Sequence, residues 1–130
     1  MRILVLCFTA LLSLAAIAQG VPGPGQPGPG PRIDSCNATY NGSYQHSGGP
    51  LWITLERMDW NGNINVTLDY RGQVYYGQGR CDDRGVSFRI RGGWPHEAQF
   101  AWAYGRPQMR GTQWVRGRPY QGFYLEYRGY

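Results

Sequence analysis

Residues 64–81 read Ile64-Asn-Val-Thr-Leu-Asp-Tyr-Arg-Gly-Gln-Val-Tyr-Tyr-Gly-Gln-Gly-Arg-Cys81 and carry a clear strand signal. Apolar side chains occupy every second position of the first half, namely Ile64, Val66, Leu68 and Tyr70. A period of two is that of a half-buried β-strand. Arg71-Gly72 ends this run, and residues 74–76, which have high β propensity, begin a return strand. The stretch therefore predicts two antiparallel strands joined by a tight turn.

The same strand–turn–strand pattern recurs on both sides of this hairpin. Clusters of Gly, Pro, Asn and Asp interrupt the chain about every 10–13 residues, the spacing of an antiparallel barrel or sandwich. The predicted turns are Ser47–Pro50, Asn61–Gly62, Arg71–Gly72, Asp82–Gly85, Gly92–Pro95, Gly105–Pro107 and Gly117–Pro119. These seven turns separate eight strands, and Asn61-Gly62 has the residues of a type I′ hairpin turn. From about Cys36 onwards, Gly or Pro interrupts every candidate helical window.

The alternation also assigns an inward face to most of the strands. The residues expected to point inward are Tyr40, Tyr44, Leu51, Ile53, Leu55, Ile64, Val66, Leu68, Tyr70, Val86, Phe88, Ile90, Ala98, Phe100, Trp102, Tyr104, Phe123, Leu125 and Tyr127. The fourth and seventh strands are less regular. They carry Gly77, Gly79 and Gly111, which suit the bends of a closed barrel.

The expected fold is therefore all-β, a small antiparallel up-and-down eight-stranded β-barrel. Consecutive hairpin-linked strands most simply close on themselves, which leaves no free edge. A two-sheet β-sandwich is the alternative. An eight-stranded barrel has room inside for side chains or for one small ligand, and the aromatic content predicts a filled core with at most a small cavity.

The chain divides into three segments. Residues 1–18 have the features of a signal peptide: a basic Arg2, an apolar run to Ile17, and the small-x-small site Ala16-Ile17-Ala18. Residues 19–35 form a Pro/Gly-rich segment expected to be a disordered tether, and residues 36–130 form the barrel domain. The apolar run is shorter than the ~20 residues of a membrane-spanning helix. We expect an exported protein, periplasmic or extracellular, with no membrane span after cleavage.

Export makes a disulfide between Cys36 and Cys81 the expected state of these two cysteines, because their compartment is oxidising. The bond would close a loop of roughly 45 residues and stabilise the fold by ~3–4 kcal/mol. Two free thiols are the alternative. Two cysteines without a nearby pair of histidines are too few for a zinc site, so we expect no metal.

Catalytic signatures are missing from the sequence. His46 and His96 lie beside Gly/Pro turns, and there is no Gly-x-Ser-x-Gly elbow, HExxH helix or Walker loop. We therefore expect a non-enzymatic protein without a cofactor. An outer-membrane barrel would need an apolar outer face on strands of ~9–11 residues. Counting back by twos from Tyr130 gives Arg128 and Glu126, which disfavours that class.

The Gly42-Ser43-Tyr44 opening, followed by a meander of short strands, resembles the calycin group of avidins and lipocalins. The domain is nearer in size to the avidins. The resemblance implies a barrel that holds a small ligand, but no ligand residue of either family can be placed here. The layout is also similar to that of small exported bacterial metalloprotease inhibitors, which are eight-stranded barrels with one disulfide, and to uncharacterised exported bacterial domains.

One surface carries a candidate binding site. If Phe88 and Phe100 point inward, their neighbours point outward, and the same holds on the seventh strand if Met109 and Val115 point inward. We name the resulting outward set the arginine patch: Arg89, Arg91, Arg110, Trp114 and Arg116. Arginine binds phosphate, sulfate or carboxylate in a bidentate manner, and Trp stacks on sugar rings. A solvated barrel wall is the alternative interpretation. If Trp114 displaces Val115 from the core, Arg110 and Arg116 turn inward and the patch is reduced to Arg89 and Arg91.

These observations favour an exported, non-enzymatic binding module that contacts an anionic glycan or an acidic protein through the arginine patch. Without Arg2, the 13 basic and 8 acidic residues leave a net charge of +4, which makes nucleic acid a poor fit. The alternatives are a calycin-like carrier of a small apolar ligand and a secreted protease inhibitor. An open-mouthed cavity of about 300 Å³ or more would favour the carrier, and a filled core would favour surface binding.

Overall fold

The computed structural model of the chain describes residues 33–129, which form eight β-strands and no helix. The strands are β1 (Ala38–Tyr44), β2 (Pro50–Arg57), β3 (Asn63–Tyr70), β4 (Gln73–Cys81), β5 (Gly85–Ile90), β6 (Pro95–Ala103), β7 (Arg106–Val115) and β8 (Arg118–Gly129). The expected signal peptide and residues 19–32 of the expected tether lie outside the described residues. Within residues 33–129 no helix is long and apolar enough to cross a membrane.

The strands close into a single antiparallel barrel in the order β1 to β8, with β8 paired to β1. The predicted up-and-down barrel is thus confirmed, and the β-sandwich alternative is wrong. Glycines bring neighbouring backbones together where a side chain would not fit. A Cβ at Gly79, for example, would collide with the Ser87 carbonyl oxygen of β5. The close strand contacts of the barrel therefore need glycine at such positions.

The predicted alternation places nearly all of the expected apolar residues inside the barrel. The buried core consists of Cys36, Ala38, Tyr40, Tyr44, Leu51, Ile53, Leu55, Ile64, Val66, Leu68, Cys81, Val86, Phe88, Ile90, Ala98, Met109, Phe123 and Leu125. Tyr70, Phe100 and Tyr127 are partly buried and pack against this core. Tyr104 was wrongly assigned to it: β6 ends at Ala103, and Tyr104 is fully exposed in the following turn.

The two-residue turns explain this error. Arg71-Gly72, Tyr104-Gly105 and Arg116-Gly117 have positive φ at both positions, with values of 53° and 81°, 54° and 74°, and 52° and 75°. This is the backbone of a type I′ turn, whose twist matches that of the flanking strands. Gly adopts the second position without strain. The residue before it occupies the first position of the turn whatever its side chain is, so Tyr104 belongs to the turn and not to β6.

The predicted type I′ turn at Asn61-Gly62 is wrong. Only Gly62 has a positive φ, of 93°, and the connection runs over residues 58–62. Asp59 organises this longer loop, because its Oδ1 accepts hydrogen bonds from the backbone N–H groups of Asn61 and Asn63 at 2.9 and 3.1 Å. Asp side chains can accept hydrogen bonds from backbone N–H groups a few residues later in the chain. Here such bonds stabilise a longer loop in place of a two-residue turn.

Cys36 and Cys81 form the predicted disulfide, with their Cα atoms 5.8 Å apart. The bond ties the segment before β1 to the end of β4. Asp34 adds a second tie, since its two oxygens accept hydrogen bonds from Arg57 Nε and Nη2 at 3.0 and 2.9 Å. The Arg57 guanidinium holds the pKa of Asp34 below its usual range. Disulfides persist in oxidising compartments, so the bond is consistent with an oxidising environment.

We predict that replacing both cysteines with alanine lowers the free energy of unfolding by about 4 kcal/mol, because the disulfide restricts a 45-residue loop in the unfolded chain. Urea unfolding of the oxidised protein and of the Cys36→Ala/Cys81→Ala variant measures this difference. Mass spectrometry with and without reductant, followed by alkylation, verifies the bond in the parent. Equal unfolding midpoints for the two proteins would contradict the prediction.

Candidate functional site

The two ends of the barrel are built differently. At one end, which we call the open end, lie the hairpin loops 45–49, 71–72, 91–94 and 116–117. At the opposite end, which we call the disulfide end, lie the loops 58–62, 82–84 and 104–105 together with the Cys36–Cys81 bond. The candidate site is a cavity at the open end.

The open-end cavity has a volume of about 410 Å³. It is lined by Tyr44, Ser47, Leu68, Tyr70, Tyr75, Ile90, Gly93, Trp94, His96, Gln113, Val115, Tyr120 and Gln121. Tyr75, Trp94 and Tyr120 at its rim are 38%, 42% and 54% exposed. The expectation of a core with at most a small cavity is wrong at this end. Gly93 contributes no side chain above Ile90, and the three rim side chains are exposed around the opening instead of filling it.

The floor of the cavity is a hydrogen-bonded pair. Tyr44 Oη lies 2.8 Å from His96 Nε2, and His96 Nδ1 lies 2.9 Å from the Trp94 carbonyl oxygen. The imidazole stacks on Phe88 with ring centroids 4.9 Å apart and is only 2% exposed. Burial lowers the pKa of His96 to about 4, and burial also raises the pKa of Tyr44. Both side chains are therefore uncharged at neutral pH.

A second polar chain lines the side of the cavity. Gln121 Oε1 accepts hydrogen bonds from the backbone N–H groups of His46 and Ser47 at 3.1 and 3.0 Å. Gln121 Nε2 donates to Gln113 Oε1 at 2.7 Å. The Gln121 side chain thus fixes the 45–49 loop to β8 and orients the amide of Gln113.

The sequence analysis did not identify these polar residues as site residues. His96 precedes the inward Ala98 by two positions, and Gln121 precedes the inward Phe123 by two. A polar side chain in phase with apolar inward neighbours is buried at a cost unless it finds a partner. The inward positions of His96 and Gln121 in the alternation are therefore the sequence signal from which the site could have been predicted.

The arginine patch lies partly where it was predicted. Met109 is buried and Arg110 is exposed, so the inward–outward alternation of β7 follows the expected sense. Trp114 is half-buried on the outer wall, whereas Val115 lines the open-end cavity. Arg89 is exposed and pairs with Pro95 of β6, and the next residue, His96, pairs with Gln113 of β7. Arg110 lies with its guanidinium 5.4 Å from the centre of the Tyr124 ring.

The other two members of the patch are displaced from the wall. Arg91 follows the end of β5 and Arg116 follows the end of β7, so both are exposed in open-end loops. The patch therefore consists of a wall group, Arg89, Arg110 and Trp114, and a separate pair at the rim of the open end.

An outer groove of about 1010 Å³ includes part of the wall group. Arg110 and Trp114 line it, and Trp60, which is 94% exposed, stands at the disulfide end. Asp82, Asp83, Glu97, Arg80 and Arg84 also line the groove, which gives it both signs of charge. The Trp114 indole Nε1 is buried and has no hydrogen-bond partner within residues 33–129.

Charge is distributed unevenly between the two ends. The four open-end loops contain Arg71, Arg91 and Arg116 and no acidic residue. The loops of the disulfide end contain three aspartates, at 59, 82 and 83, against Arg84. The opening of the cavity therefore faces the more positive end of the barrel. Within residues 33–129, no group of three or more His, Cys, Asp or Glu side chains is placed to hold a metal ion.

We predict that His96 makes the stability of the protein dependent on pH. Its pKa is lowered from 6.5 to about 4 by burial, so between these values the unfolded chain binds the proton more readily than the folded one. The stabilisation is complete above pH 6.5 and is lost as the pH falls to 4, by roughly 3 kcal/mol. Urea unfolding at several pH values measures this loss.

The matched variants are His96→Gln and His46→Gln. The first should flatten the pH dependence between 6.5 and 4, whereas the second, which replaces an exposed histidine, should preserve it. Asp34, whose pKa lies below its usual range, affects the pH dependence of stability mainly below this window, and it does so equally in all of the proteins. An unchanged slope in His96→Gln would show that His96 is not the group responsible.

The chain was also compared with known proteins. No protein-family model, curated protein or solved structure matches it. The closed eight-stranded meander is consistent with the calycin layout, and the likeness is one of architecture.

Proposed function

We propose that the protein is an exported, non-enzymatic carrier that binds one small, mainly aromatic ligand in the open-end cavity. The observation that carries this proposal is the form of the cavity: a closed polar floor beneath a ring of exposed aromatic side chains. Ligand sites are typically concave and mostly apolar, with a few polar groups that fix orientation. The disulfide supports an oxidising location such as the periplasm or the extracellular space.

The volume of the cavity indicates the size of the ligand. An engineered cavity of about 150 Å³ binds benzene, so about 410 Å³ suits a compound of two fused rings. Burying ~250 Å² of aromatic surface at ~25 cal/mol/Å² contributes about 6 kcal/mol. The corresponding Kd is on the order of 10–100 μM before hydrogen bonds are counted. Naphthalene derivatives are therefore suitable probes.

A second candidate function is the binding of an anionic polysaccharide by the wall group. Arg110 and Trp114 line one groove, and Arg89 is exposed on β5, where it pairs with Pro95 of β6. Sulfate or carboxylate groups would pair with the guanidinium groups while a sugar ring stacks on the indole. The acidic residues of the same groove oppose this binding, and for that reason we place it second.

We predict that Val115→Trp weakens binding of 2-naphthol, because the larger side chain fills the mouth of the cavity. The wild-type protein should bind one molecule of 2-naphthol, measured by calorimetry, and the variant should bind at least 10-fold more weakly. Val74→Trp is the matched control, since Val74 is exposed and does not line the cavity. No binding by the wild-type protein at millimolar probe, or equal binding by Val115→Trp, would refute the carrier proposal.

For the second candidate, we predict that Arg89→Ala/Arg110→Ala weakens binding of dextran sulfate by about 10-fold and flattens its salt dependence. Arg106→Ala/Arg128→Ala removes the same charge from exposed positions outside the patch and should have a smaller effect. Equal losses in the two double variants would show that net charge, and not the patch, attracts the polymer. Binding of an acidic protein in place of dextran sulfate would redirect the assignment.

A further inference from the structure

Two hydrogen-bond chains end at the open-end cavity, and each is fixed at its far end by the backbone. The first runs from the Trp94 carbonyl oxygen through His96 to Tyr44. The second runs from the backbone N–H groups of the 45–49 loop through Gln121 to Gln113. Because a backbone carbonyl only accepts and a backbone N–H only donates, the direction of every bond in both chains is determined.

In the first chain, the Trp94 carbonyl requires a proton on His96 Nδ1. The imidazole is buried against Phe88 and is neutral at physiological pH, since burial lowers the pKa of His96 to about 4. Nε2 therefore carries a lone pair, and the Tyr44 hydroxyl donates its proton to it over 2.8 Å. The Tyr44 oxygen is left as an acceptor, and no donor to it occurs among residues 33–129.

In the second chain, two backbone N–H groups and the Ser47 hydroxyl bond to Gln121 Oε1, which fixes the orientation of that amide. Gln121 Nε2 must then donate to Gln113, so the group it meets on Gln113 is the oxygen. Gln113 Nε2 is left as a donor without a partner in the described part of the chain. Gln113 and Tyr44 both line the cavity.

From these two chains, and given the carrier proposal, we infer that the cavity selects an uncharged aromatic ligand with a polar edge. That edge donates a hydrogen bond to the Tyr44 oxygen and accepts one from the Gln113 amide. A hydroxyl group on an aromatic ring meets both requirements. Among residues 33–129, the cavity lining includes no Arg, Asp or Glu. A carboxylate at the floor would therefore lose its hydration and meet the lone pairs of Tyr44.

The inference predicts a ranking of naphthalene probes with the wild-type protein. 2-Naphthol can donate and accept, 2-methoxynaphthalene can only accept, and 2-methylnaphthalene matches the size of 2-naphthol without a polar atom. One hydrogen bond contributes about 1–1.5 kcal/mol, or close to 10-fold in Kd. We expect 2-naphthol to bind about 10-fold more tightly than 2-methoxynaphthalene and more tightly still than 2-methylnaphthalene. 2-Naphthoate should bind more weakly than 2-naphthol.

A His96→Phe variant tests the direction of the first chain. Without the imidazole acceptor, the Tyr44 hydroxyl is free to donate into the cavity, so 2-methoxynaphthalene should gain affinity and approach 2-naphthol. If His96 only fills space, its replacement should change the affinities for 2-naphthol and 2-methoxynaphthalene together and leave their ratio near 10. In Tyr44→Phe/His96→Phe both polar groups of the first chain are absent, and the ratio should stay near one. Circular dichroism establishes that each variant is folded.

The wild-type ranking alone can overturn the inference, so the test does not depend on the folding of any variant. Equal affinities for the three neutral probes, or tighter binding of 2-naphthoate, would refute the polar selection while leaving the carrier proposal intact. A lack of binding by every probe, with no difference between the wild-type protein and Val115→Trp, would refute the carrier proposal itself. The two failures are therefore distinguishable.

Discussion

Closure of the barrel depends on one close approach between the first and last strands. Gly42 lies opposite Leu125, and a Cβ at this position would collide with the Tyr124 carbonyl oxygen and come within 2.8 Å of the Leu125 side chain. A side chain here would push β1 and β8 apart at this position and disturb the ladder that closes the barrel. Since a closed barrel separates its inside from solvent along every strand, the ladder between β1 and β8 supports the inward–outward alternation of the side chains.

The closed wall encloses two different interiors. Towards the disulfide end, the Tyr40 hydroxyl donates to the Ser35 carbonyl oxygen at 2.6 Å, and its ring stacks on Phe100, so the space is filled. Towards the open end, inward positions carry His96 and Gln121, whose partners include backbone atoms of nearby hairpins. The His96 ring packs against Tyr44 and Phe88, and the cavity lies beside these side chains, between them and the rim of the open end.

Strand number, inward faces and the disulfide were predictable from the sequence because each depends on local alternation or on a unique pairing. Tyr104 was misplaced because alternation does not show where a strand ends, and the following Gly105 draws its neighbour into a tight turn. Arg91 and Arg116 were displaced from the wall for the same reason. The cavity was missed because aromatic content gives the volume of the side chains, while the direction of each ring depends on contacts across the barrel.

The charge of the open end and the neutrality of its cavity have separate consequences for a ligand. Arg71, Arg91 and Arg116 lie in exposed loops, so they act through solvent over about 10 Å at 0.1 M salt. Such a field increases the rate at which an electron-rich or anionic molecule reaches the opening. The floor interacts with a ligand only once the ligand is inside the cavity, because Tyr44 and His96 are buried and have fixed hydrogen-bond roles. Attraction at the rim therefore depends on salt, whereas selection at the floor depends on hydrogen-bond direction.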